Sequence, residues 1–396
     1  MRLHERWPTA RFILFALLWL CGACLRLTIL AIPPVVPLLH ADLHLSETGL
    51  GWLSSLPPML FALVAVPGSL LIARFGLVPA VLIGLLLNAI GSAARGAVPS
   101  MIGLYASTIV MAAGVSIMQP AMPPLVRAWF PRQIGLATAV YTNGLLVGEI
   151  VTVALTIPVV LPLVRQSWRL SFVVWSLPVL LTALLVGACT PRRSQPDNGE
   201  RVAKRWWPNW RDPLIWRLGL ILGSVNATYF AANAFLPDYV TAAGRPDLVS
   251  GALTAINLGQ LPASLLMLPL AERLLTRPAA YAAMGLLSFL SVAAMMLMHG
   301  DWIVVWSAVL GFTGAVTLIL VLALPSVLGA ADDVHRISAG MFTISYSFAM
   351  ALSVLVGWLW DLTRLPIAGF APVALCGLVI AALASTVKHA ERRRGG

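Results

Sequence analysis

The chain has 396 residues, of which 59% are apolar and only 10% are charged, and its mean hydropathy is +0.89. A soluble fold of this length needs roughly 25% charged residues to cover its surface, so a set of water-soluble domains is excluded. The net charge of +11 would suggest nucleic-acid binding in a soluble protein, but in a membrane protein basic residues record orientation. The apolar runs have the length of bilayer-spanning helices, which predicts an all-helical membrane protein.

Twelve apolar segments follow one another along the chain. They lie near 12–39, 48–73, 77–94, 99–126, 134–163, 168–189, 214–241, 249–271, 278–298, 301–328, 338–361 and 366–387. The basic N-terminus and the first run together resemble a secretory signal. The run continues past Arg26 to Leu39 without a small-residue cleavage pattern, however, so a retained first helix is expected.

Along these spans, loops that are rich in basic residues alternate with loops that hold few of them. Twenty fall on one face of the predicted topology, and five fall on the other, namely Arg95, Arg165, Arg169, Arg245 and Arg364. Because loops rich in Lys and Arg stay in the cytoplasm, both termini are predicted to be cytoplasmic in a multi-pass protein of the inner membrane.

The longest polar stretch divides the chain near its midpoint. Residues 191–212 hold nine of the 41 charged residues together with Pro, Ser, Asn and Gly. We therefore predict an N-terminal six-helix bundle at 1–190, a cytoplasmic linker at 191–213 and a C-terminal six-helix bundle at 214–396. Weak self-similarity at an offset of about 200 residues favours a transporter built from two repeats.

Twelve helices, a basic central linker and cytoplasmic termini resemble the major facilitator superfamily. The loop Ser69–Gly76 is similar to that family's loop signature, keeping Arg74 and Gly76 but carrying Ala73 where an acidic residue is usual. Glu272 and Arg273 resemble a second copy of the signature. The resemblance implies the superfamily fold of two six-helix bundles, transport by alternating access, and a gating loop containing Arg74, Gly76, Glu272 and Arg273.

A closer resemblance is to the cyanate permease and 2-nitroimidazole transporter (CynX/NimT) branch. Its matching residues are Leu25-Arg26-Leu27-Thr28, Pro33-Pro34, Pro37-Leu38-Leu39, Thr48-Gly49-Leu50, Leu56-Pro57, Met122-Pro123, Arg127, Phe130, Asn226 and Leu236-Pro237. The branch implies transport of small polar or anionic molecules.

Two ionisable residues, Arg26 and Glu149, lie deep within spans, where a charge costs at least about 2.5–3.5 kcal/mol. Counted from the cytoplasmic ends of the first and fifth spans, both sit about 21–22 Å along their helices. The two spans are neighbours in the superfamily fold, so the residues either form a structural ion pair or flank a bound molecule. We hypothesise that Arg26 binds the substrate, because its planar fork of donors suits anionic oxygens. Glu149 would then take up a proton when an anion occupies Arg26.

Further polar residues occupy the middle of other spans and are predicted to contribute to substrate binding. Asn226, Tyr229 and Asn233 can share one helix face, and so can Asn257 and Gln260. The remaining candidates are Gln119, which precedes a proline-rich stretch, and Tyr346. In membrane helices such groups also bridge helices, and the sequence leaves both roles open.

The predicted function is secondary active transport of a small polar or anionic solute, such as cyanate, nitrate or a small carboxylate, with proton symport as the candidate coupling. The alternative is an exporter of small neutral heteroaromatic compounds such as nitroimidazoles. A membrane sensor is disfavoured because no long soluble segment occurs. A membrane enzyme is disfavoured because only one acid and one arginine lie deep in the spans. No cofactor, metal or nucleic acid is expected; the expected partners are substrate, protons and membrane lipid around a monomer.

Overall fold

The computed structural model is all-helical in the residues that it describes, which are 8–44, 47–98, 100–190, 205–242, 244–298, 300–363 and 366–387. Apolar runs in a bilayer fold as helices because lipid offers no partner for backbone N–H and C=O groups. The helices are α1 (Pro8–Cys24), α2 (Val36–Leu43), α3 (Glu47–Phe75), α4 (Leu77–Ala97), α5 (Met101–Trp129), α6 (Ile134–Leu155), α7 (Leu161–Leu163), α8 (Trp168–Cys189), α9 (Pro213–Ala242), α10 (Val249–Leu274), α11 (Pro278–Leu297), α12 (Trp302–Leu328), α13 (Val334–Thr363) and α14 (Pro366–Leu383). The predicted fold class is therefore confirmed.

Eleven helices in the described part of the chain are long and apolar enough to cross a membrane, and Arg11–Cys24 forms a shorter apolar helix. The span Ile134–Leu163 runs through α6, a π-helical turn at Thr156–Val160 and α7. Large apolar side chains point outward from the bundles, as in Leu63 and Val354, which are 62% and 72% exposed. Such side chains suit contact with lipid.

The first predicted span, 12–39, is wrong as a single helix. Helix α1 ends at Cys24, residues 25–31 form turns, and α2 begins only at Val36. Pro33 and Pro34 account for the interruption, because two consecutive prolines remove two backbone donors and clash with the preceding turn.

The chain after this interruption is fixed to α8 through Asp42 near the end of α2. Its Oδ2 atom accepts hydrogen bonds from Trp168 Nε1 and from Arg169 Nη2, both at 3.0 Å. These two donors, the indole first and then the guanidinium, lower the pKa of Asp42 below its ordinary value. The interrupted segment is therefore anchored at its far end.

The helices pack into two compact units, of which the first holds residues 1–131 and 140–208. Its core surrounds the interruption and includes Leu27, Leu39 and Phe172. Helices α4 and α5 are in backbone contact: a Cβ atom added to Gly114 would lie 2.5 Å from the Asn88 nitrogen. Such close approach lets the helices associate in lipid, where the hydrophobic effect between them is lost.

The second unit holds residues 132–139 and 209–396. Its core contains Leu236, Ile256 and Phe370. Helices α10 and α12 also approach through glycine, since a Cβ atom on Gly311 would lie 2.0 Å from the Ile256 oxygen. The domain boundaries proposed from the sequence stay a prediction.

Most of the predicted linker, residues 191–204, lies outside the described residues. In the described end of the predicted linker, the Trp206 carbonyl accepts a hydrogen bond from Ser69 Oγ at 2.9 Å. Helix α9 then begins at Pro213, and Asp212 Oδ1 accepts a hydrogen bond from the Leu214 N–H at 2.9 Å. A proline in the first turn preceded by an acidic cap is a favourable helix start.

Candidate functional site

The interruption of the first span places Arg26 in non-helical backbone. Its neighbours Leu25 and Leu27 are 2% and 7% exposed, and Thr28 is fully buried, whereas Arg26 itself is half-buried. The Arg26 side chain is therefore carried by a buried stretch of chain, while part of the residue stays accessible. This is the arrangement expected of a membrane charge that meets a ligand.

Glu149 lies in α6, is 8% exposed, and belongs to the turn that packs on α1. A Cβ atom added to Gly148 would lie 2.6 Å from the Ala23 oxygen, and Trp19 Nε1 donates to Asn143 Oδ1 at 2.9 Å. The two helices are therefore in direct contact over the turn that precedes Arg26. The hypothesis that Arg26 and Glu149 form a binding site, and its alternative of a structural pair, both stay predictions.

Gln119 is buried in α5, with 5% of the residue exposed, and directly precedes Pro120. The three prolines of this stretch lie inside one continuous helix. Gln119 thus belongs to the first unit, as do Arg26 and Glu149.

The prediction that Arg95 belongs to a loop is wrong. Arg95 lies in the last turn of α4, and its side chain is fully buried. Its Nη2 atom donates to the Thr28 carbonyl at 2.7 Å, and its Cζ atom lies 4.4 Å from the centre of the Phe172 ring. The signal available in the sequence was spacing: Asn88, Ser92 and Arg95 recur at four and three residues and so share one helix face.

In the second unit, Tyr229, Asn233 and Asn257 form one hydrogen-bonded group. Tyr229 Oη donates to Asn257 Oδ1 at 2.9 Å, and Asn257 Nδ2 donates to Asn233 Oδ1 at 3.3 Å. All three side chains are partly exposed. The group therefore joins α9 to α10 and still presents polar atoms at an accessible surface.

The other predicted residues of the second unit make different contacts. Asn226 Nδ2 donates to Ser345 Oγ of α13 at 2.9 Å, and Gln260 is buried at 7% exposure. Tyr346 is 2% exposed and stacks on Phe342 with ring centres 6.3 Å apart. Phe230 lies 6.4 Å from the same tyrosine ring. Asn226 thus bridges helices, and Tyr346 belongs to an aromatic cluster.

The predicted gating residues adopt two different arrangements. Gly76, between α3 and α4, has a φ of +90°, a conformation that favours glycine, and Arg74 lies exposed beside it. Glu272 Oε1 accepts hydrogen bonds from the N–H groups of Gly135 at 2.6 Å and Leu136 at 3.3 Å, within the second unit. Glu272 therefore caps the positive N-terminal end of α6, whereas the first loop has Ala73 at the corresponding place.

Replacing Glu272 by alanine is expected to lower the free energy of unfolding by about 1 kcal/mol, because two N–H groups lose a charged acceptor. Glu272→Gln should give a smaller loss, since it keeps an oxygen acceptor. Thermal unfolding in detergent, followed by tryptophan fluorescence, measures both. The control is Arg273→Ala, because Arg273 is the exposed neighbour of Glu272. Equal destabilisation by both alanine variants would contradict the capping role.

Among the described residues, no group of three or more His, Cys, Asp or Glu side chains is arranged to hold a metal ion. Cys21 and Cys24 are buried free thiols, and Cys24 Sγ donates to Thr182 Oγ1 at 3.4 Å. The functional groups that the described residues offer in the two units are therefore arginine guanidinium groups, one buried carboxylate, amides and aromatic rings.

Comparison with known proteins extends over both units. The family model described as Major Facilitator Superfamily matches residues 18–352. The 2-nitroimidazole transporter of Escherichia coli (strain K12) is 24% identical over 374 residues, which cover 92% of this chain and 93% of that protein. The cyanate transport protein CynX of the same organism is 26% identical over 308 residues, which cover 77% and 79%.

Among solved structures, the proton:xylose symporter XylE bound to 6-bromo-6-deoxy-D-glucose superposes with a TM-score of 0.74. The match covers 94% of this chain and 95% of that one at 13% sequence identity, so it concerns the fold alone.

Proposed function

This chain belongs to the Major Facilitator Superfamily of membrane transporters, and from that premise we propose that it moves a small polar or anionic solute by secondary active transport. Cyanate, nitrate and small carboxylates are the proposed substrate class. Alternating access with proton symport is the proposed mechanism. The relatives named as cyanate and 2-nitroimidazole transporters support small solutes whose terminal atoms accept hydrogen bonds.

The observation that carries the proposal is the position of Arg26. It is half-buried in an interruption of the first span, between residues that are almost fully buried. Arginine stays protonated at accessible pH and presents a planar fork of donors, which matches the oxygens of a small anion. We propose Arg26 as the main anion ligand, with Gln119 as a neutral contributor from the same unit.

The charge balance of the first unit supports an anion over a cation. The interior groups named so far are two basic residues, Arg26 and the fully buried Arg95, and one acidic residue, Glu149. Basic groups therefore exceed acidic groups by one. In a low-dielectric surrounding this excess attracts an incoming anion and repels a cation.

A panel of ligands tests the proposal. The purified protein is heated in detergent with cyanate, nitrate, small mono- and dicarboxylates, or nitroimidazoles. A ligand present at 100 times its dissociation constant should stabilise the folded state by about 2.7 kcal/mol. Stabilisation by one or more anions supports the proposal, and a response to neutral heteroaromatics alone contradicts it.

Glu149 is proposed as the proton-coupling group, and Glu149→Gln is expected to keep anion binding while removing the dependence of uptake on an inward proton gradient. The reason is that the amide imitates the protonated acid but cannot release a proton. Uptake of labelled substrate into proteoliposomes, with and without the gradient, measures the effect. Asp238→Asn is the control because Asp238 is exposed on α9.

Two outcomes would count against this role for Glu149. Uptake by Glu149→Gln that still follows the proton gradient would place the coupling elsewhere. Loss of anion binding in the same variant would instead show that the carboxylate holds Arg26 in a structural pair.

The alternative function is export of neutral heteroaromatic compounds, which the aromatic cluster of the second unit favours. Tyr346, Phe342 and Phe230 form a cluster of stacked and tilted rings in which Phe230 is partly exposed, and flat ligands prefer aromatic surroundings. In the ligand panel this alternative predicts stabilisation by nitroimidazoles that is independent of Arg26. The polar group Tyr229, Asn233 and Asn257 would supply its hydrogen bonds.

We propose a monomer in the inner membrane with both termini in the cytoplasm. The excess of basic residues in alternate loops supports this orientation. Membrane lipid is the proposed surrounding of the exposed apolar side chains.

A further inference from the structure

Two backbone carbonyls at the interruption of the first span are held by side chains of α4. Asn88 Nδ2 donates to the Cys24 carbonyl at 2.9 Å, and Arg95 Nη2 donates to the Thr28 carbonyl at 2.7 Å. The backbone hydrogen bonds described for this stretch are accepted by carbonyls other than those of Cys24 and Thr28. The stretch that carries Arg26 is therefore fixed at both ends by one neighbouring helix.

The same side chains also bond to each other and to their surroundings. Thr28 Oγ1 donates to Asn88 Oδ1 at 2.7 Å, and Arg95 Nη2 donates to Ser92 Oγ at 3.1 Å. Thr28, Asn88 and Arg95 are all 0% exposed. We call these three residues the helix-break clamp.

Arg95 buries its cation against the face of the Phe172 ring, with 4.4 Å between Cζ and the ring centre. Among the described residues no carboxylate lies within ion-pair distance of it, and its Nε and Nη1 atoms have no hydrogen-bond partner there. A neutral amide would donate equally well to a carbonyl, without the cost of burying a cation. Buried donors are rarely left unsatisfied in folded proteins, and strained or functional sites are among the places where they occur.

We infer that the helix-break clamp positions Arg26 for anion binding, an inference that rests on the proposed function. Arg26 lies midway between the two held carbonyls, and its side chain is half-buried while those on either side are buried. Fixing the backbone on both sides restricts the directions that the guanidinium can take. Binding sites of this kind need a supporting shell, because small displacements of a charged ligand group weaken binding strongly.

The first test compares transport kinetics of Asn88→Leu, Arg95→Met and Arg95→Lys, with cyanate and nitrate as probes. Asn88→Leu and Arg95→Met are expected to raise the half-saturating anion concentration about tenfold, with little change in the maximal rate. Arg95→Lys should recover part of the affinity, because lysine keeps a charged donor.

The control is Thr108→Val in α5. Thr108 is equally buried, but its hydroxyl donates only along its own helix, to the Leu104 carbonyl at 2.7 Å. A purely structural clamp would lower thermal stability as Thr108→Val does and leave the half-saturating concentration unchanged. That result would overturn the inference.

A second measurement does not depend on substrate. In a protein whose four cysteines are replaced by alanine, Arg26→Cys is labelled with a negatively charged methanethiosulfonate, with and without Asn88→Leu. A labelling rate that changes severalfold with Asn88→Leu, but not with Thr108→Val, supports the clamp. An unchanged rate overturns it.

The two proposals fail in different ways. If no tested anion binds the wild-type protein, the proposed function fails, and the labelling rate still decides whether the clamp orients position 26. If anions bind through Arg26 but the clamp variants bind them normally, the inference alone fails.

Discussion

Replacing Arg26 by alanine is expected to weaken anion binding by about 30- to 150-fold, since losing hydrogen bonds to a charged group costs about 2–3 kcal/mol. The substitution removes the cation from the interruption in the first span but leaves the buried neighbours and the clamp in place. Thermal stability measured against the anion concentration reports the change directly. At the concentration that stabilises the wild type by about 2.7 kcal/mol, Arg26→Ala should be stabilised by less than about 1 kcal/mol.

Arg26→Lys separates the charge of Arg26 from its geometry, and Arg217→Ala is the control. Lysine keeps the charge without the planar fork, so Arg26→Lys should bind anions with intermediate affinity. Arg217 is exposed on α9, and its removal should leave binding unchanged. If Arg26→Ala unfolds more easily yet binds anions as the wild type does, Arg26 is structural and the exporter of neutral heteroaromatics becomes the better proposal.

Replacing Gly22 or Gly144 by alanine is expected to destabilise the protein by about 3 kcal/mol or more, because the contact between α1 and α6 has no room for a methyl group. A Cβ atom on Gly22 would lie 1.9 Å from the Tyr141 oxygen, and one on Gly144 would lie 2.1 Å from the Trp19 oxygen. Both obstacles are backbone atoms, so relief requires the helices to separate. The thermal midpoint and the yield of monodisperse protein should both fall.

Gly187→Ala in α8 is the matched control. The nearest atom to its added Cβ would be Leu82 Cδ2 at 3.9 Å, an ordinary contact, and alanine is the better helix former. Its stability should equal or exceed that of the wild type. If Gly22→Ala and Gly187→Ala unfold at the same temperature, α1 and α6 do not pack as closely as the structure shows.

The spans were predictable because the bilayer imposes both their length and their internal hydrogen bonding. The interruption of the first span was harder to predict, since hydropathy does not register the loss of backbone donors at Pro33 and Pro34. A position near a span end favours exposure, so the sequence predicts Arg95 in a loop. A long side chain in the last turn of a helix can instead point back into the bundle, as Arg95 does.

The candidate site was predictable in part. Charge and depth single out Arg26 and Glu149, whose roles stay a prediction. Helical spacing places Tyr229 and Asn233 on one face of α9, and in the structure Tyr229 bonds there to Asn257 of α10. The pairing of Asn226 with Ser345 was not predictable, because one sequence does not tell which helices are neighbours. The role of Asn88 depends on the interruption itself and becomes visible only once the broken backbone is seen.

Glu149 is the acidic side chain that lies buried within a span in the described part of the first unit, and this sets the electrical character of the proposed cycle. One proton carried with each monovalent anion adds no net charge to the loaded carrier. A membrane potential, which is worth about 2.3 kcal/mol per elementary charge per 100 mV, would then neither drive nor oppose that step. Accumulation would follow the pH difference alone, with about a tenfold concentration ratio for each pH unit.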